Sequence, residues 1–255
     1  MKVSIITVVW NNKDTIEDAI ESVLGQTYKN IEYIIIDGGS TDGTVDLIKK
    51  YEDKIAYWVS EPDKGIYDAM NKGLKVATGE YISILNADDY YEEDAISLSL
   101  ETILKTNSDY SYANARMLGE KSSVVIKPIN PLDEQIYFQM PYPHVSLLIK
   151  SSIYREFGFY DTTYKIAGDH DFAVKVYTKG YRGIYIDKVI CNLHEGGISS
   201  TFDANLEFFK VARKYKNSLS CYYQLCKQYI KYKAVKVLPS NISRFLMKMK
   251  HSRHV

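Results

Sequence analysis

The hydrophobic positions of this chain fall into short runs that alternate between two periods. Val3–Val9 is a near-continuous β-branched run, the pattern of a strand buried on both faces. Residues 14–24 follow with Ile16, Ala19, Ile20, Val23 and Leu24 at helical spacing. The same order then repeats. Residues 31–36 read as a strand and 44–51 as a helix, with Ser40 and Asp42 placed to cap it. Residues 55–59 read as a strand, 66–77 as a helix and 81–85 as a fourth strand. Successive strand-then-helix units predict an α/β domain, a mostly parallel sheet with helices on both faces. Ligands of such sheets bind beyond the carboxyl ends of the strands.

After Tyr90 the pattern loosens. A helix is expected over 95–104 and a strand over 110–115. Residues 127–142 hold Pro128, Pro131 and Pro141, with Pro143 just beyond, and predict a long loop. Residues 145–149 read as a strand, 169–178 as a helix, and 183–187 and 189–193 as two short strands. Helical spacing runs from Asn205 to about Val237, and Pro239 then breaks it. These shifts divide the chain into a body, 1–200, with halves 1–90 and 91–200, and a helical tail, 201–255.

Composition sharpens that division. The 255 residues suffice for one large α/β domain, and their formal net charge is zero. Yet twelve of the 32 basic residues and none of the 32 acidic ones lie from Phe208 onward. An acidic body with a basic, aromatic tail implies different partners for the two ends. Such a tail suits an anionic membrane surface or packing on the body. No recognised nucleic-acid fold accompanies it, so nucleic acid is not an expected partner. Three cysteines make neither a disulfide framework nor a zinc site, and fit a reducing compartment. The N-terminal run reads as a first strand rather than a leader, and no apolar stretch reaches the ~18 residues of a membrane span.

Polar residues gather where the strands end. The first ends in Trp10-Asn11-Asn12, the second in Asp37-Gly38-Gly39-Ser40, and the fourth in Asn86-Ala87-Asp88-Asp89. Carboxylates directly after a buried strand suit a hard divalent cation that neutralises a diphosphate. The same run also reads as the acidic start of the next helix. Asp37 fits an Asx turn around Gly38-Gly39, or an acceptor for the imide N–H of a uracil. No G-x-G-x-x-G and no P-loop sequence is present, which argues against dinucleotide and P-loop chemistry.

Taken in order, SIITVVWNN, IIIDGGSTDGT, EPDKGIYDAMNKG, GEYISILNADD and AGDHDF resemble glycosyltransferase family 2, over roughly residues 1 to 200. The resemblance implies a GT-A fold, Rossmann-like, whose first half binds the nucleotide and whose second half binds the acceptor. It implies an inverting transfer from a UDP-sugar, with Mn²⁺ or Mg²⁺ as cofactor. Relatives with DKGIYDAMNKG and LNADD resemble bacterial enzymes of O-antigen, capsule or exopolysaccharide synthesis. The acceptor would then be a saccharide on a polyprenyl diphosphate, and the site of action the cytoplasm or the inner face of the cell membrane. A homodimer is compatible with this.

By the same resemblance Thr7, Val9, Asn11 and Asp37 border the base. Lys64, Gly65 and the run to Asn71 close over ribose and diphosphate. Asn86 stands near the ribose, Asp88 ligates the metal, and His194 is a further ligand in a loop with Gly196 and Gly197. Asp169 matches the catalytic base, and His144 stands near the acceptor. Two positions depart from the family pattern: Asn86 replaces an Asp, and Gly168 replaces a Glu. They leave a second reading open, a decayed nucleotide-sugar-binding or scaffold protein. A nucleotidyltransferase would need a Gly-rich basic loop after the first strand, where Trp10-Asn11-Asn12 stands.

Overall fold

Strand β1, Val3–Val9, is buried at every position and lies at the centre of the first half. In the computed structural model, which describes residues 1–119, 122–194, 202–216, 222, 223 and 226, it pairs in parallel on both sides. The elements of this half are α1 (Ile16–Leu24), β2 (Ile31–Asp37), α2 (Thr44–Lys49), β3 (Tyr57–Ser60), α3 (Ile66–Val76) and β4 (Tyr81–Asn86). The second half adds β5 (Tyr90–Tyr91), α4 (Ala95–Thr106), β6 (Tyr110–Leu118), β7 (Ser123–Ile126), β8 (Leu148–Lys150), α5 (Ser151–Phe157), α6 (Gly168–Thr178) and β9 (Gly183–His194). Helix α7, Phe202–Lys216, follows.

The sheet runs β3-β2-β1-β4-β8-β6-β9-β5, with β7 paired to β6. The first four strands are mutually parallel, while β8 runs antiparallel to both β4 and β6. Alternation along β1 explains the two cores. Val3, Ile5 and Val9 face one side, with Ile20, Val23, Ile96 and Leu100 of α1 and α4. Ile6 and Val8 face the other, with Met70 and Leu74 of α3 and Phe172 of α6. One glycine sets how closely α3 docks: a Cβ on Gly73 would fall 2.4 Å from Ile6 Cγ2.

Several expectations change in detail. Residues 183–194 form one strand, since Asp187 and Lys188 fall where the pairing with β6 shifts register rather than in a turn. The strand expected at 145–149 is a 3-10 turn, His144–Ser146, followed by β8. The run 127–142 is mostly loop but holds a 3-10 turn, Glu134–Tyr137. β7 and α5 were not expected.

The tail begins by packing on the body. Val211 of α7 is buried with Ile136, Ala167 and Val174. Asp171, with a side chain 1 % exposed, is held by Lys214 at 2.8 Å and Lys175 at 3.0 Å. Of the helix expected from Asn205 to Val237, the part to Lys216 lies in Phe202–Lys216, and most of the rest, with Pro239, lies outside the described residues. Among the described residues no helix is long and apolar enough to cross a membrane.

Candidate active site

The carboxyl ends of β1, β2 and β4 bring three of the expected segments to one edge. After β2, Asp37 is wholly buried and accepts from Gly39 N, Ser40 N, Ser40 Oγ and Ser60 Oγ. Its carboxylate therefore builds the Asx turn of Gly38-Gly39. Asn11, at a φ of 48°, ties β1 to this turn: its Oδ1 accepts from Thr41 N at 2.8 Å, and its N–H donates to Ser40 Oγ at 2.7 Å. Val9 accepts from Gly38 N at the same junction. Thr7 lies deeper, 0 % exposed and bonded to Tyr33 Oη, so its side chain does not line the crevice.

The segment before α3 stands opposite. Gly65 starts the helix at a φ of 116°, and exposed Lys64 precedes it. Asp63 Oδ2 packs against Gly38, only 2.3 Å from where a Cβ would stand. Asn71 turns away from the crevice: its side chain clasps the backbone N–H and C=O of Tyr160, both at 2.9 Å.

After β4, the acidic run is not a helix start. The two-residue strand β5 intervenes, and α4 begins at Ala95 with Asp94 at its N-cap. The Asp88 carboxylate makes no hydrogen bond among the described residues, while its backbone carbonyl accepts from His194 Nδ1. That bond occupies Nδ1 and leaves Nε2 of the exposed His194 without a hydrogen bond among the described residues. Burial, and the charge of Asp88 beside it, push the carboxyl of Asp89 up to about 7. No three His, Cys, Asp or Glu side chains converge among the described residues. Asp88 with His194 Nε2 suits a cation that completes its shell with phosphate oxygens and water.

From this run a line of polar contacts crosses to α6. Asn86 Nδ2 donates to Asp89 Oδ2 at 3.0 Å, and Asn86 Oδ1 lies 3.4 Å from His144 Nε2. His144 Nδ1 lies 3.7 Å from Asp169 Oδ2. Asp169 Oδ1 accepts from His170 N at 2.9 Å and from Tyr67 Oη at 3.0 Å. Burial, and then the Asp169 charge, push the Tyr67 phenol far up, so it stays a proton donor. The Asp169 side chain is 18 % exposed and that of His144 is 25 % exposed, so both remain open to a ligand. Asp171, two residues on, points into the protein toward α7 instead.

The model of glycosyl transferase family 2 matches residues 4–165. The chain belongs to glycosyl transferase family 2. An uncharacterized glycosyltransferase of Mycobacterium tuberculosis is 30% identical over 216 residues, covering 83% of this chain and 82% of that one. An Escherichia coli UDP-Glc:alpha-D-GlcNAc-diphosphoundecaprenol beta-1,3-glucosyltransferase, WfaP, is 44% identical over 113 residues, 44% of this chain and 45% of its own. Among solved structures, Staphylococcus aureus TarS 1-349 in complex with UDP-GlcNAc superposes with a TM-score of 0.70 at 20% identity, over 83% of this chain and 65% of that one. The fold is accordingly GT-A, a curled, mostly parallel sheet flanked by helices, and the enzyme class is glycosyltransferase.

The site assembled in this family member contains a residue that motif reading did not assign a task. Tyr67 sits within the run read as closing over the donor, yet its hydroxyl meets Asp169, 102 residues away. The remainder of the His194 loop, residues 195–199 with Gly196 and Gly197, lies outside the described residues.

Proposed function

We propose that this chain is an inverting, metal-assisted transferase that moves a sugar from UDP onto a hydroxyl of a saccharide carried on a lipid diphosphate, in the synthesis of a bacterial surface polysaccharide. The observation that carries the reading is the line Asp89, Asn86, His144, Asp169, with the Asp88 carboxylate beside its first member. It sets a free carboxylate for a cation and a free carboxylate oxygen for a base on one partly open surface. The donor and the lipid-linked acceptor are suggested by the WfaP relative and by the UDP-GlcNAc complex of TarS.

In this reaction Asp169 Oδ2 takes the proton of the acceptor hydroxyl as that oxygen bonds to the anomeric carbon. The bond from that carbon to the β-phosphate oxygen breaks from the opposite face, and its electron pair leaves with UDP. Asp88 and His194 would hold a divalent cation, which when bound would offset the charge of the diphosphate. His144 lies between the two halves, with one ring nitrogen toward Asn86 and the other toward the base. The surface where Trp10, Gly38 and Asp63 meet is the place for the nucleotide base. The basic residues beyond Lys216 bring the body to an anionic membrane surface, where the acceptor lies.

The test is UDP release from UDP-glucose, UDP-galactose and their N-acetylated forms, with Mn²⁺ or with chelator. Release that needs the metal and is abolished in Asp88→Ala supports the reading. No release from any donor favours the decayed scaffold.

A further inference from the structure

We infer that Tyr67 is a positioning residue for the transfer, holding Oδ1 of Asp169 so that Oδ2 alone faces the acceptor, and that Gly168 is the residue that leaves room for it. This rests on the reading of Asp169 as the base.

Asp169 stands in the first turn of α6, and its own helix gives it one donor, the N–H of His170 at 2.9 Å. That bond alone leaves the plane of the carboxyl free to turn. Tyr67 adds a second donor to the same oxygen at 3.0 Å, and two donors on one oxygen fix which oxygen points outward. Among the described residues Oδ2 then has no partner nearer than His144 Nδ1 at 3.7 Å. Tyr67 is itself well anchored. It is 5 % exposed, and its ring centroid lies 5.5 Å from that of Tyr160.

The hydroxyl of Tyr67 also lies 2.6 Å from the carbonyl oxygen of Ile166. It has one proton and two acceptors. While Asp169 is charged, its carboxylate is the stronger acceptor and draws the proton. Once Oδ2 has taken the proton of the acceptor hydroxyl, that pull weakens, and the phenolic proton turns back to the Ile166 carbonyl. The O–H bond of Tyr67 does not break. It only rotates, holding Oδ1 in place before the transfer and letting it go afterwards.

Gly168 carries the complementary evidence. A Cβ at this position would lie 2.9 Å from both Cε2 and Cζ of Tyr67, the latter being the carbon that bears the hydroxyl. Any larger side chain at 168 pushes the phenol off Asp169. Helix propensity alone favours alanine here, since glycine is the weaker helix former. The backbone position that precedes the base is therefore shaped by Tyr67 rather than by the helix.

The experiment measures steady-state UDP release by the full chain with Mn²⁺, using whichever of the four UDP-sugars the wild type turns over fastest. Wild type, Tyr67→Phe, Gly168→Ala and Asp169→Asn are compared. Phenylalanine keeps the ring packing and removes only the hydroxyl. The expected result is a kcat lower by roughly 10- to 100-fold in Tyr67→Phe, the range for a catalytic group displaced by up to about 1 Å. Donor KM should stay within about twofold, because the donor site is untouched. Gly168→Ala should lose kcat in the same way, with a lower thermal midpoint from the displaced ring. A purely structural Tyr67 would lower the melting point and raise KM along with any loss of kcat. If Asp169→Asn is inactive while Tyr67→Phe keeps its kcat, the positioning role is overturned and the base stands. If Asp169→Asn turns over normally, or the wild type releases no UDP, the base assignment falls and takes this inference with it. Should Gly168→Ala fail to fold, Tyr67→Phe alone carries the test.

Discussion

Glu207 reaches from α7 to the backbone that delivers the base, and it offers a quantitative check on how the tail supports the site. Its carboxylate accepts from Lys165 N at 3.0 and 3.1 Å, from Ile166 N at 2.7 Å and from Ala167 N at 2.9 Å. These three residues lead directly into α6. Glu207→Ala leaves three backbone donors without their acceptor. A buried hydrogen bond to a charged group contributes about 1.5–3 kcal/mol, but Glu207 is half-buried and water replaces part of the loss. At ~1 kcal/mol per donor the total is about 3 kcal/mol. For a domain of this size each kcal/mol shifts the melting midpoint by about 2–4 °C, which predicts a fall of about 6–12 °C. Turnover should fall as well, because the carbonyl of Ile166 shares the Tyr67 hydroxyl with Asp169. Calorimetric melting of Glu207→Ala and Glu207→Gln checks the argument, and the amide, with one acceptor oxygen left, should lose about half as much. A midpoint for Glu207→Ala within about 2 °C of wild type would refute it.

Two further predictions probe the metal run and the sheet. Asn86→Asp removes the donor to Asp89 and sets two carboxylates side by side, so the metal-free protein should lose about 2 kcal/mol, with Mn²⁺ restoring most of it. Thermal shifts with and without Mn²⁺ read this, and equal metal-free midpoints would count against the placement of Asn86. Burial pushes the carboxyl of Glu32 up, but donors from Ser4, Thr78 and Lys2 outweigh it and bring it down to about 2 from 4.5. A folded value below the unfolded one means a contribution that is full above pH 4.5 and lost as pH falls toward 2. Urea melts across that window should show a flatter pH dependence for Glu32→Gln; an unchanged slope would mean that Glu32 is not the group responsible.

The parts of the fold that were legible in the sequence are those where burial imposes a period. β1 and β2 are apolar along most of their length because helices cover both faces of the sheet. β7, Ser123–Ile126, is exposed along most of its length and pairs on one side only, so burial wrote no pattern into it. β9 looked like two strands because Asp187 and Lys188 interrupt the apolar run, where the sheet instead absorbs them in a register shift. The site divides the same way. Asn11, Asp37, Asn86 and Asp88 each end or closely follow a strand, so local order revealed their shared edge. The reading of Asp88 and Asp89 as a helix start failed because two residues of β5 intervene. Asn71 and Thr7 lie in motifs yet serve packing, since a motif does not say which way a side chain turns. The contact of Tyr67 with Asp169 joins residues 102 apart, and only Gly168, an unexpected small residue, hinted at it.

The central claim is that the carboxylate run after β4 holds a nucleotide diphosphate through a cation. Calorimetric titration of wild type and Asp88→Ala with UDP, GDP and CDP, with and without Mn²⁺, tests it most directly. The account predicts micromolar binding of UDP that requires the metal and is lost in Asp88→Ala. Equal affinity for UDP without metal, undiminished affinity in Asp88→Ala, or binding of GDP in preference to UDP would contradict it.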